Sequence, residues 1–166
     1  MSDFSEPGGT DGPHARLAAR LRDQANDIRR LTAGLDEEVL ARRPRPDKWS
    51  LKELVAHLWR VQEVFESRIE AMLTQTKPAL APYDPAGDLE LEAKLSETCE
   101  DLLAGFLGER EELASLLDSL SAADWRHRGI HPEYRHYDVR LAVEYLACHE
   151  AHHIYQMLQR RELVAP

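Results

Sequence analysis

His149-Glu150-Ala151-His152-His153 stands near the end of a chain of 166 residues. It matches the pattern H-E-x-x-H, in which two histidines four apart share one helix face and reach the same metal ion. The place of the third ligand separates two folds. If the third ligand lies downstream, the chain is a zinc protease of mixed helix and sheet. If it lies upstream on another helix, the chain is a bundle with a metal site between its helices.

The flanking residues decide between these. Ile154 to Pro166 contain no histidine, and their one acid, Glu162, continues the same helix more than a turn away. The extended protease motif needs Gly and His where this chain has Gln156 and Gln159. No sustained alternation of apolar and polar residues supplies a strand, so there is no sheet edge to hold a peptide. The third ligand is therefore sought upstream, and His57 is the best candidate. At about 100° per residue it flanks the apolar stripe of Leu54, Val61 and Phe65.

That stripe belongs to the second of four helical patterns. In the first, Leu17, Leu21, Gln24, Ile28, Leu31 and Leu35 line one face. Gly34 weakens its end, and Asp36 caps a short turn reaching Arg42. Pro44 and Pro46 then exclude helix. Ser50-Leu51-Lys52-Glu53 is a capping box that starts the second helix, with Leu51, Leu58, Ile69 and Met72 completing its stripe. A Pro-rich loop over 77–87 follows, pinned by Tyr83. The third helix carries Leu95, Cys99, Leu102, Phe106, Leu113, Leu117 and Leu120, and its Gly105 and Gly108 mark points of close packing. After an irregular stretch over 121–137, the fourth helix runs from Asp138 to about Glu162. Its apolar arc of Val139, Val143, Leu146, Ile154 and Leu158 is wide enough to bury a dimer interface as well as a core face. Four amphipathic helices with one long connection predict an all-α four-helix bundle over 14–166, preceded by a disordered tail over 1–13.

Composition narrows the function. The net charge of −9 argues against nucleic acid, which needs a basic footprint. No apolar run approaches the ~20 residues that cross a bilayer. The polar N-terminus lacks the pattern of a secretory signal, and Cys99 and Cys148 make no disulfide framework, so a cytoplasmic protein is expected.

In the bundle, His57, His149 and His153 would form a three-histidine site with an open fourth position. His152 projects away from the pair, and Gln156 lies close enough to touch a substrate or fix a histidine tautomer; both are candidate supporting or substrate-contacting residues. Glu150 is the candidate catalytic group, as a general base or as an orienter of a ligand histidine; it could equally pair with an arginine of a neighbouring helix. His131 and His136 sit in a loop that could cover the metal. Trp49, Trp59 and Trp125 are read as packing. A ferritin-like di-iron site needs a second Glu-x-x-His, and Leu54 occupies that position before His57.

Two segments carry a resemblance. Pro46-Asp47-Lys48-Trp49-Ser50-Leu51-Lys52-Glu53-Leu54-Val55-Ala56-His57 is similar to the W-S-x-x-E-x-x-x-H segment of the DinB-like, damage-inducible proteins, and His149 to Gln156 to their H-[DE]-x-x-H-x-x-Q ending. Trp125 and the loop Gly129-Ile130-His131-Pro132-Glu133-Tyr134 fit the connection between them. The resemblance implies an up-down-down-up four-helix bundle, often a homodimer, associated with stress response. It also implies one divalent ion, zinc or nickel with iron or manganese as alternatives, on His57, His149 and His153. The family is related to mycothiol-dependent maleylpyruvate isomerase and to bacillithiol transferases. The expected function is therefore metal-dependent activation of a low-molecular-weight thiol against a small-molecule substrate, of S-transferase or isomerase type. A metal-dependent hydrolase is the first alternative, and a non-enzymatic stress-associated bundle with a structural metal the second. An open fourth position favours chemistry; a sealed one favours structure.

Overall fold

The structure is a computed structural model and describes residues 13–165. The tail expected over 1–13 lies, as far as residue 12, outside the described residues; the first helix, α1, begins at Pro13 and ends at Thr32. Gly34 then takes the left-handed φ of 75° that turns the chain out of the helix. Asp36 caps α2 (Glu37–Ala41), accepting from the Val39 N–H at 3.0 Å. At the start of α3 (Leu51–Thr74) the capping box is complete. The Ser50 hydroxyl accepts from the Glu53 N–H at 3.1 Å, and the Glu53 carboxylate accepts from the Ser50 N–H at 2.8 Å. The Arg43 guanidinium grips the same carboxylate from outside.

The third helical pattern divides. Leu95 ends a separate short helix, α4 (Leu89–Lys94), and Thr98 caps a new one, α5 (Cys99–Ser119), by accepting from the Asp101 N–H at 3.1 Å. After a 3₁₀ turn (Asp124–Arg126), the two-residue strands β1 (Arg128–Gly129) and β2 (Tyr137–Asp138) pair antiparallel. Asp138 caps the last helix, α6 (Val139–Val164), at 2.8 Å from the Leu141 N–H.

Helices α1, α3, α5 and α6 form the bundle, with α1 and α3 on opposite corners, each packed between α5 and α6. Hydrogen bonds fix the directions. Gln24 reaches the carbonyl of Ala147 and Arg161 that of Leu31, so α1 and α6 run parallel. Trp59 meets Glu109, and Gln62 meets Arg110, so α3 and α5 also run parallel. His57 lies by His149 and Phe65 by Tyr145, which sets α3 antiparallel to α6. The order is up-down-down-up. Because α3 and α5 run the same way, the connection over 75–98 must travel back along the bundle. Part of it pairs with the connection before α6: the Leu80 N–H donates to the Ile130 carbonyl and the Ile130 N–H to the Pro78 carbonyl, at 2.8 Å each.

Two apolar clusters fill the bundle, one around Phe65, Leu117 and Val143, the other around Ile28, Leu54 and Leu102. A polar layer lies among the same helices. Arg110, fully buried on α5, donates to both oxygens of the fully buried Glu150 at 2.9 and 2.5 Å, to Gln62 at 2.7 Å and to the carbonyl of Leu21 at 2.8 Å. One side chain thus joins all four helices. Gly105 is close-packed as expected, since a Cβ there would lie 2.2 Å from the Trp59 ring. Gly108 is not: a Cβ there meets nothing within 4 Å. The apolar arc of α6 also divides, with Val139, Val143 and Leu146 in the core and Leu158 44% exposed. Among the described residues no helix is long and apolar enough to cross a membrane.

Candidate metal centre

His57 projects from the second turn of α3, whose start is fixed by the Ser50–Glu53 box, and His149 and His153 project from successive turns of α6. The antiparallel packing of these helices brings the three imidazoles together. One ligand atom from each lies within 4.8 Å of the other two. The Nε2 atom of His149 is 3.4 Å from that of His57 and 3.2 Å from that of His153. Donors ~2.05 Å from a tetrahedral zinc stand ~3.3 Å apart, so the residues present fit a divalent ion on an all-imidazole donor set. Among the described residues no carboxylate joins this group.

Electrostatics favours the neutral, metal-ready form. Burial, with the neighbouring histidines adding to it, pushes His57 down to about 3 and His149 to about 4. Burial also lowers His153. Its tautomer is set by Gln156, whose Oε1 lies 2.8 Å from His153 Nδ1 and accepts the proton there, leaving the Nε2 lone pair towards the cluster. The Gln156 amide nitrogen donates in turn to Nε2 of the exposed His152 at 3.1 Å. Nδ1 of His57 and of His149 is buried without a hydrogen-bond partner among the described residues.

The cluster opens on one side into a cavity of about 470 Å³. Its floor is helical: His57, Val61, Phe65 and Arg68 from α3, and Tyr145, His149 and His153 from α6. The roof comes from the two paired connections, with Tyr83 and its flanking prolines from one, and His131, Glu133, Tyr134 and Tyr137 from the other. Trp49 closes the histidine end, its ring 4.9 Å from that of His57.

Glu150, the candidate catalytic group, is not brought to the histidines. It stands outside the cavity lining and is held by Arg110 in the polar layer, the arginine pairing that was the other reading of this residue. Gln156 and His152 do lie beside His153. Trp49 and His131, read as packing or loop residues, line the cavity. Arg68 was missed altogether; a charged residue eleven positions after His57, on the same face as Val61 and Phe65, was the available signal. Trp59 is confined to packing, under the Lys94 ammonium at 3.2 Å from the ring centre. Trp125 is buried beneath His14, their rings stacked 4.5 Å apart.

The model of the DinB superfamily matches residues 20–157, most of the chain. The chain belongs to the DinB superfamily. Among its DinB relatives, the uncharacterised YuaE of Bacillus subtilis is 24% identical over 144 residues, covering 79% of this chain and 88% of that one. A protein of Geobacillus thermodenitrificans, provisionally named a metal-dependent hydrolase, is 28% identical over 146 residues, covering 87% and 82%. The fold matches that of Bacillus subtilis YfiT, provisionally described as a metal-dependent hydrolase with an unusual four-helix bundle topology. The TM-score is 0.80 at 18% identity, covering 98% of this chain and 93% of that one. It also matches mycothiol-dependent maleylpyruvate isomerase with a TM-score of 0.72 at 13% identity, covering 95% of this chain but 63% of the isomerase.

Proposed function

We propose that this DinB protein is a metal-dependent enzyme in which His57, His149 and His153 hold one divalent ion that activates a low-molecular-weight thiol for transfer or isomerisation on a small-molecule substrate. The observation that carries this reading is three histidines with ligand atoms within 4.8 Å of one another, His149 Nε2 standing 3.4 and 3.2 Å from its two neighbours, facing a cavity rather than a sealed core. A divalent ion there supplies a Lewis-acid centre that lowers the pKa of a nucleophile next to it. The imidazole set suits zinc and nickel first, then iron; manganese prefers oxygen ligands.

The chain's own residues favour a thiol. Among the described residues no carboxylate joins the cluster to take a proton, so the nucleophile must lose its proton without such help. A thiol, ionising near ~8.5, needs far less assistance than water near ~15.7. Gln156 orients His153, Trp49 shields His57, and the aromatic walls exclude water around the reacting atoms. Metal-dependent hydrolysis is the second reading, favoured by the provisional names of the relatives.

The test is turnover by protein loaded with zinc or nickel, offered a small thiol with an electrophilic aryl halide, and separately an aryl ester. Metal-dependent loss of the thiol, abolished in His149→Ala, is the expected result. Ester cleavage without thiol consumption would replace this reading by the hydrolase. Neither reaction in protein that retains its ion would make the metal structural.

A further inference from the structure

Away from the histidines, the cavity holds a cation whose charge the fold does not balance. Arg68 lies three turns along α3 from His57, about 16 Å by axial rise, and is 9% exposed. Its one hydrogen bond among the described residues is donated to the carbonyl of Ala81 at 2.6 Å, and its guanidinium sits 4.9 Å from the centre of the Phe65 ring. No carboxylate is within ion-pair distance of it among the described residues. The other buried arginine, Arg110, is matched by Glu150. Burying a guanidinium without a counter-charge is costly, so such a group is retained where an anion arrives.

The surroundings fit an arriving anion. The hydroxyl of the buried Tyr137, also in the lining, has no hydrogen-bond partner among the described residues. The Arg68 charge reaches the roof: it opposes the burial that raises the Tyr137 phenol, and adds to the burial that lowers His131. Glu133, the one acid of the lining among the described residues, is exposed. Between the two ends the floor is apolar, formed by Val61 and by Phe65 stacked on Tyr145 at 5.5 Å.

We infer that Arg68, with the Tyr137 hydroxyl beside it, is the anion-binding end of the substrate cavity, and that the substrate is a carboxylate with an apolar or aromatic body lying between Arg68 and the histidines. This rests on the cavity being the substrate site, but not on a metal being bound. The planar fork of an arginine suits a carboxylate held by two parallel hydrogen bonds. The reacting group is then placed at the histidine end by the length of the molecule.

The experiment is binding of 4-phenylbutyrate and of its neutral amide, by calorimetry, to metal-loaded and chelator-treated protein. The acid should bind at least ~10-fold more tightly than the amide. Arg68→Gln should abolish that preference and Arg68→Lys restore part of it, while metal removal leaves it intact. In wild-type protein the Arg68 side-chain ¹⁵Nε resonance should shift with the acid and not with the amide, which tests the contact should Arg68→Gln fail to fold. Equal binding of acid and amide, no saturable binding of the acid, or a preference that survives Arg68→Gln overturns the inference. A preference lost on metal removal but kept in Arg68→Gln also overturns it and puts the carboxylate on the metal. A preference intact in protein that never takes up metal keeps the anion site and defeats the metal reading instead.

Discussion

Gln156 shows how much one side chain contributes at the site. Its amide accepts from His153 Nδ1 and donates to His152, so replacing it frees the His153 ring to turn and to move its proton to the donor nitrogen. Gln156→Ala should weaken metal binding by roughly 10–100-fold, measured by competition with a chromophoric chelator. His152→Ala, which alters only the outer end of that chain, should change it little. A second residue-scale expectation concerns Glu66. Burial, with Glu109 nearby, raises its carboxyl from 4.5 to about 7. The folded protein therefore keeps a proton there that the unfolded chain releases near 4.5. Its stability falls as pH rises from 4.5 through 7, and the penalty is constant above that. Glu66→Gln removes the penalty. Urea denaturation should show no gain for the variant below pH 4.5 and a growing gain up to about 7. A gain independent of pH would contradict the assignment.

At the scale of elements, the close approach of α3 and α5 rests on one missing side chain. Gly105→Ala places a methyl group against the Trp59 ring and should cost ~1–3 kcal/mol by overpacking. Gly108→Ala, three residues on in the same helix and facing open space, should gain ~0.5–1 kcal/mol from reduced backbone freedom. Chemical denaturation of the two variants tests opposite signs for the same substitution. From the sequence these glycines look alike, because what distinguishes them is a ring from another helix. The helix starts at Ser50, Asp36 and Asp138 were legible because caps act within three residues. The break before α5 was not: the apolar step from Leu95 to Cys99 to Leu102 keeps helical spacing across Thr98, whose hydroxyl instead begins a new helix. His57, His149 and His153 were legible by type and spacing. Arg68 and Trp49 were not, since their facing the cavity depends on connections with no regular period.

For the whole molecule, the polar layer is where the four helices are tied. Glu150→Gln leaves the Arg110 charge without its partner and should cost ~3–5 kcal/mol, read by denaturation, with metal uptake retained. The double replacement Arg110→Met with Glu150→Leu should recover most of that loss. Loss of metal uptake in Glu150→Gln, with the fold intact by circular dichroism, would return Glu150 to the site. The layer also explains why the sequence left Glu150 open between two readings: its partner is forty residues away on α5, and only the packing of the whole bundle brings Arg110 to it.

The proposed metal site is shared by residues of two antiparallel helices. Its most direct test is metal content by mass spectrometry, on wild-type protein and His57→Ala, both purified without a nickel column. About one divalent ion per chain is expected in the wild type and none in the variant, with helical content unchanged. An ion that survives loss of His57, or no ion in either protein, would contradict it.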